Sequence, residues 1–292
     1  MDSETLSWRI KGELVRPTFP LVMGILNATP DSFHAPSRVD EHSILRTAER
    51  MLNEGAGLLD IGGQSSRPGS GPGMEAEEMD RILPLVEAVR DRFPEALISV
   101  DTWRARVAAA AVERGAAMVN DISAGSLDPA MLPTVAALKV PYVAMHMQGI
   151  PDTMQSEPSY TDVATEVTRF LSERIAVCRE AGIPDVIVDP GFGFGKTTAH
   201  NYTLLRELGR IHALGVPVLV GFSRKRMVNE VLGTTPAEAL NGTTVLHTLA
   251  LLKGAAILRT HDVKEAVQAI ALVRYASNTS ELNDRGANGL RT

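Results

Sequence analysis

One cysteine, Cys178, is all the thiol chemistry available to this chain of 292 residues. An intrachain disulfide is excluded, and so is any zinc site built from cysteine pairs. Around it Val163, Val167, Phe170, Leu171 and Ile175 recur at helical spacing, which predicts a core position for the thiol rather than a reactive surface one. A chain of this length buries enough apolar surface to fold without disulfides or a structural metal, and a reducing, cytoplasmic compartment is the expectation. Aromatic residues are scarce, at 4%. Positive charge is scarce too. The net charge of -6 and the pI near 5.7 argue against nucleic-acid binding through a basic face. No apolar run approaches the roughly 20 residues that span a bilayer, so no membrane association is expected. Met1–Arg9 carries Asp2, Glu4 and Arg9 with no apolar stretch, unlike a secretory signal. The seven histidines, His34, His42, His146, His200, His212, His247 and His261, show no H-x-x-x-H spacing, and no G-x-S-x-G elbow occurs.

What the sequence does have is alternation. Short apolar runs fall at Leu21–Leu26, Leu58–Ile61, Ala96–Val100, Met118–Asn120, Tyr142–Met147, Val186–Val188, Val216–Val220 and Ala255–Leu258. Helical patterns separate them: Ser43–Asn53, Ala76–Arg92, Arg104–Arg114, Pro129–Leu138, Thr161–Glu180, Asn201–Ala213, Lys225–Leu232, Ala237–Leu252 and Val263–Ala276. Gly55, Gly115, Gly182 and Gly215 stand where helices would end. Continuous apolar strands imply a parallel sheet covered on both faces. Eight of them in strict alternation predict an α/β fold, a (β/α)8 TIM barrel, ahead of an open doubly wound sheet. The expected organisation is an N-terminal hairpin extension over 1–20, the barrel over 21–276 and a polar, flexible C-terminal tail over 277–292.

Function in such a barrel belongs at the C-terminal ends of its strands. All eight ends are polar here. Asp, Asn and Ser at any one of them could simply cap a helix or make a turn; eight together point to a site. Asp101, Asn120 and Asp189 can accept hydrogen bonds from a ligand rich in N–H donors. Lys225, Arg259, His261 and Arg67 suit an anion. The expected ligand has a donor-rich heterocycle at one end and a phosphate-like group at the other. The stretch Val188–Thr197, V-D-P-G-F-G-F-G-K-T, nearly forms a phosphate loop, but Pro190 occupies the first glycine's place and Asp189 would repel a phosphate.

Taken together, these strand ends resemble dihydropteroate synthases. The resemblance runs from about residue 20 to 275. It rests on Met23-Gly-Ile-Leu-Asn-Ala-Thr-Pro-Asp-Ser-Phe33, Asp60-Ile-Gly-Gly-Gln-Ser-Ser-Arg-Pro-Gly69, Ile98-Ser-Val-Asp-Thr102 and Asn120-Asp-Ile-Ser123, followed by Met145-His-Met-Gln-Gly149, Asp189-Pro-Gly-Phe-Gly-Phe-Gly-Lys196, Gly221-Phe-Ser-Arg-Lys225 and Leu258-Arg-Thr-His-Asp-Val263. It implies a folate-pathway transferase, typically a homodimer. Such an enzyme joins p-aminobenzoate to 7,8-dihydropterin-6-ylmethyl diphosphate and releases diphosphate, using Mg2+. In the family, residues matching Asp101, Asn120 and Asp189 grip the pterin's donor edge and the match to Lys225 meets its acceptor side. Met145, Phe192 and Gly221 complete the implied pterin site, with Phe192 as a wall and the loop glycines allowing close approach to substrate. Asn27, Arg67, Arg259 and His261 match the diphosphate site, with Asn27 as the protein's Mg2+ contact. Arg259, His261, Lys225 and Asn27 are the implied catalytic set. Phe33, Ser66, Arg67, Pro68 and Ser223 match the p-aminobenzoate pocket, where sulfonamides would compete.

The match has departures. After Asp-Ser-Phe the family commonly has Ser-Asp-Gly-Gly, where this chain has His34-Ala35-Pro36-Ser37. Gln64 stands for a usual Glu, and Ser66 for a usual Thr. The competing readings are a corrinoid-dependent pterin methyltransferase, a pterin-binding paralogue without turnover, and a P-loop nucleotide hydrolase.

Overall fold

The computed structural model describes residues 7–10, 12–27, 38–63, 74–149, 154 and 158–277. An antiparallel hairpin comes first, β1 (Trp8–Ile10) with β2 (Glu13–Val15). Eight parallel strands follow: β3 (Leu21–Asn27), β4 (Leu58–Gly62), β5 (Ile98–Asp101), β6 (Met118–Asp121), β7 (Tyr142–Met145), β8 (Val186–Asp189), β9 (Leu219–Val220) and β10 (Ile257–Thr260). They hydrogen-bond in the order β8-β7-β6-β5-β4-β3-β10-β9. The ring closes where Val188 bridges Val218 in parallel and its N–H reaches the Pro217 carbonyl at 3.0 Å. This is the expected (β/α)8 barrel.

Helices α1 (Arg38–Asn53), α2 (Glu75–Arg92), α3 (Ala105–Arg114), α4 (Met131–Leu138), α5 (Val163–Glu180), α6 (Thr198–Arg206), α7 (Leu208–His212), α8 (Arg226–Leu232), α9 (Leu240–Leu251) and α10 (Val263–Ser277) surround the strands. The glycines expected at helix ends, 55, 115, 182 and 215, all take positive φ. Several expected elements differ, and the helix at Ala237–Leu252 opens as a 3-10 turn, Pro236–Glu238, separated from α9 at Ala239. The helix at Asn201–Ala213 is broken at Glu207 into α6 and α7, and the strand at Val216–Val220 shortens to β9. Cys178 is buried on α5 as its spacing predicts. Among the described residues no helix is long and apolar enough to cross a membrane. The residues assigned to the polar tail lie outside the described residues from 278 onward.

The alternation of side chains along each strand divides the barrel into two cores. Outward residues such as Val22, Leu59, Val100, Val119, Ala144, Val188, Val220 and Leu258 pack in one buried cluster with the helices. Inward residues at the strand starts form another: Met23, Leu58, Met118, Val143, Ile187, Leu219 and Ile257. Trp8 of the hairpin joins that second cluster and is 2% exposed. Its ring meets Phe19 edge-on at 5.4 Å. The hairpin therefore plugs the N-terminal end of the barrel. Burying an aromatic this completely is worth on the order of 3–5 kcal/mol relative to alanine. With that end sealed by hydrocarbon, the polar chemistry is confined to the other.

Candidate active site

Two residues beyond four of the seven apolar plug positions, the inward face turns polar. Leu58 leads to Asp60, Met118 to Asn120, Ile187 to Asp189 and Ile257 to Arg259. The strand register keeps the upper layer level: Asn27 pairs with Gly62, Gly62 with Asp101, and Asp101 with Asn120. Asp101 and Asn120 thus stand side by side, while Asp189 pairs with Met145 one inward step higher and joins them through Arg259 and Lys225, whose charges act on both Asp101 and Asp189.

Arg259 ties this end of the barrel together. Its Nε donates to Asp60 Oδ2 at 2.6 Å and its Nη2 to Asp101 Oδ2 at 2.7 Å. Asn120 Nδ2 donates to the same Asp60 oxygen at 3.0 Å. An ionised Asp60 only accepts, so the Asn120 amide turns its nitrogen toward it and leaves Oδ1 for another donor. Asp60 itself is fully buried, and its Oδ1 has no hydrogen-bond partner among the described residues. Burial pushes the Asp101 carboxyl up to about 7; Arg259 opposes that push, and Asp60, Glu78 and Asp121 add to it. Burial also works against the charge of Arg259, but Asp60 and Asp101 hold its pKa above the ordinary value.

Asp189 forms the second half of the site. Its Oδ1 accepts from the Gly191 N–H at 2.7 Å. Burial raises its pKa, against the pull of Lys225, the Gly191 N–H, Arg259 and Lys196. Lys225 Nζ donates to the Phe192 carbonyl at 2.6 Å and lies 4.8 Å from the centre of the Phe194 ring. Burial lowers its pKa to about 8, with Asp189 opposing. Gly221 gives the rim a low floor between the cations: a Cβ there would sit 3.8 Å from Lys225 Nζ and 3.7 Å from Arg259 Cβ. Met145, 3% exposed, packs with Ile122, Met154 and Phe194 beside it. Ser223 Oγ and His261 Nδ1 are 2.9 Å apart.

The arrangement offers three outward acceptors, a lysine and an arginine at the mouth of a sealed barrel. A model of the family described as pterin binding enzyme matches residues 23–261. The dihydropteroate synthase of Escherichia coli (strain K12) is 44% identical over 268 residues, covering 90% of this chain and 93% of that protein. The chain belongs to the dihydropteroate synthase family.

Solved structures of dihydropteroate synthases agree with that assignment. The one from Yersinia pestis, in complex with a sulfonamide drug, superimposes with a TM-score of 0.87 at 42% identity, covering 94% of this chain and 100% of that one. The one from Xanthomonas albilineans, with 4-aminobenzoic acid, gives a TM-score of 0.85 at 42% identity, covering 93% and 98%.

With the dihydropteroate synthase assignment in place, the expected site residues can be located individually. Asp101, Asn120, Asp189, Lys225, Gly221, Met145, Arg259, His261 and Ser223 are brought to one end of the barrel. Asn27 lies exposed at the end of β3. Phe33, Ser66, Arg67 and Pro68 lie outside the described residues. Three expectations need correction. Phe192 is not a wall of the site: its ring is fully buried, 4.6 Å from that of Phe222, and what it offers is its backbone carbonyl. Phe194, which carried no assigned role, supplies the ring beneath Lys225. Two of the loop glycines serve a different partner. Gly191 and Gly195 have φ of +67° and +60°, and a Cβ at either would overlap the carbonyl oxygen of His146 or Gln148. Gly191 and Gly195 admit the loop to the β7 exit, while Gly193 lies against Lys225. Finally, acids and cations do not occupy opposite ends. Arg259 sits between two carboxylates, because buried carboxylates this close need a cation among them.

Asp60 was missed as a site residue. The two-residue step from Leu58 would have found it, since the same step leads to Asn120, Asp189 and Arg259. For Mg2+, no group of three or more His, Cys, Asp or Glu among the described residues could hold a metal. Asn27 offers one exposed carboxamide oxygen. That fits Mg2+, which prefers oxygen ligands, keeps several waters and is commonly held through substrate phosphates.

Proposed function

We infer that this chain is a dihydropteroate synthase: it condenses p-aminobenzoate with 7,8-dihydropterin-6-ylmethyl diphosphate, giving 7,8-dihydropteroate and diphosphate. The observation that carries the residue-level reading is the convergence of Asp101, Asn120 Oδ1 and Asp189 at one end of the barrel, beside Lys225. The pterin's 2-amino group and ring N–H are donors, and these three residues are acceptors. Lys225 Nζ, a donor, faces the ring's acceptor side. The lone pair of the arylamine forms the new C–N bond at the methylene carbon as the C–O bond to diphosphate breaks, and the amine then loses a proton. Diphosphate leaves with the electron pair, so stabilisation of that growing charge is what accelerates the step. Arg259 offers a planar guanidinium to phosphate oxygens, and His261 stands two residues further along. Mg2+, held by Asn27 and the diphosphate, would add charge neutralisation. Ser223, positioned against His261, borders the place for p-aminobenzoate, a role that the family resemblance also assigns to Phe33, Ser66, Arg67 and Pro68. The sulfonamide complex of the Yersinia pestis relative and the 4-aminobenzoic acid complex of the Xanthomonas albilineans relative support p-aminobenzoate as a substrate.

A homodimer is part of this reading. Val231, Leu232, Val245, Leu249 and Leu272 are exposed on the neighbouring helices α8, α9 and α10, with Leu252 just after α9, and clustered exposed apolar side chains mark association surfaces. Sedimentation at the mass of two chains is expected, and sedimentation at 31.4 kDa would contradict it.

Incorporation of isotope-labelled p-aminobenzoate should require the pterin diphosphate and Mg2+. Arg259→Ala should lower turnover by roughly 100-fold, the scale for losing one charged donor to a developing anion. Product formation at the unaltered rate would remove Arg259 from the mechanism, and no product from the native chain despite tight pterin binding would favour the inactive paralogue.

The pterin affinity should also depend on pH. Asp101 accepts most strongly when ionised, and its carboxyl is raised to about 7, so affinity should rise as pH increases through that value. Lys225, lowered to about 8, loses its charge above it, and affinity should fall again. Calorimetric titration from pH 6 to 9 should give a maximum between the two. A flat profile, or one whose acid limb survives Asp101→Asn, would contradict the assignment.

A further inference from the structure

The near-phosphate-loop lysine, Lys196, has no part in the chemistry above, yet it is 3% exposed. Its ammonium has three N–H donors and no acceptor. His146 Nδ1 lies 2.9 Å away, the Gly191 carbonyl 2.9 Å and the Phe194 carbonyl 3.0 Å. All three donors are therefore used inside the protein. The residue that would reach toward phosphates in a phosphate loop points into its own loop, and Thr197 beside it caps α6 instead, accepting from the His200 N–H at 3.1 Å. Around this centre the loop is closely pinned. Tyr160 donates to the Gly195 carbonyl at 2.8 Å, and the Gly193 N–H donates to Asn201 at 2.8 Å.

Gly191 is the critical link. Its carbonyl is held by Lys196, and its N–H is donated to Asp189 Oδ1 at 2.7 Å. One residue thus joins the buried ammonium to the rim carboxylate. We propose that Lys196 is a positioning residue for the pterin site, an internal cationic strut that fixes the orientation of the Asp189 carboxylate through Gly191. Lys196 fills all three acceptors only when charged; burial lowers its pKa to about 7, with Asp189 opposing the fall and Lys225 adding to it, so the strut is fully formed below that value, and His146 accepts at Nδ1 only as a neutral imidazole. Burial, with the Lys196 charge adding to it, lowers the His146 pKa to about 3, which keeps the ring neutral. The proposal rests on the reading of Asp189 as a pterin acceptor.

The test is a double-mutant cycle read by calorimetry with 7,8-dihydropterin-6-ylmethyl diphosphate, without p-aminobenzoate. Lys196→Met should weaken binding about tenfold or more in the native background and less than about threefold in Asp189→Asn, because coupled residues do not add. In steady state the KM for the pterin substrate should rise while that for p-aminobenzoate stays within about twofold, a split that general loosening of the fold would not produce. Equal losses in both backgrounds, or no loss in a folded Lys196→Met, would overturn the proposal. If Lys196→Met does not fold, His146→Phe, which removes the Nδ1 acceptor along with Nε2 but keeps a ring against Tyr160 and Phe170, takes its place. Its loss should be about threefold and should vanish in Asp189→Asn; persistence there would overturn the proposal equally. Should Asp189→Asn alone bind like the native chain, the reading of Asp189 fails, an outcome distinct from failure of the strut.

Discussion

Arg259 makes the site possible. Asp60, Asp101 and Asp189 all stand inward at the same end of one barrel, and carboxylates withdrawn from water at such proximity repel one another. A guanidinium that donates to Asp60 and Asp101 at once lets two of them remain buried, and Lys225 supplies charge near the third. The pairing has a consequence for function. Asp101 is presented to a ligand already engaged, so a pterin must offer donors good enough to share or replace Arg259. A ligand without an N–H-rich edge gains nothing there and leaves buried acceptors unpaired, which is the stronger source of selectivity.

The barrel separates stability from chemistry along its axis. The N-terminal end is closed by Trp8 and a ring of aliphatic side chains, and the charged network begins one inward layer above. Supporting polar groups lie behind that layer. Asp121, fully buried, accepts from Tyr142, from the Ser123 N–H and hydroxyl, and from the Gly125 N–H. Buried Glu78 accepts from Thr102 at 2.6 Å and from Arg104, bracing the chain just after Asp101. Fixed orientation of the rim is what allows a few acceptors to discriminate a ligand.

Much of this was legible in the sequence, and the rest was hidden for identifiable reasons. Eight apolar runs separated by helical patterns point to a parallel sheet covered on both faces, and the count of eight is what favours closure into a barrel. Strand ends such as Asn120, Asp189 and Arg259 stood out because polar residues closing apolar runs are conspicuous. Asp60 opens the second strand's motif but carries no role in the sequence reading; only the layer above Leu58 shows it. The mistaken role for Phe192 has a similar cause. Sequence distinguishes a ring from a glycine but not which of two alternating loop aromatics turns inward, and here Phe192 does so while Phe194 meets Lys225. The interleaving of Arg259 with two carboxylates could not be read either, since residues 60, 101 and 259 meet only through closure of the barrel.

The central claim is that Asp101, Asn120 and Asp189 act together as acceptors for one pterin edge. A crystal structure of the chain with a bound pterin tests it most directly. The account predicts the 2-amino and ring N–H groups within hydrogen-bond distance of Asp189 and Asn120 Oδ1, with Asp101 on the same heterocycle and Arg259 still held by Asp60. A pterin bound with that edge turned to solvent, or seated away from Asp189, would contradict it.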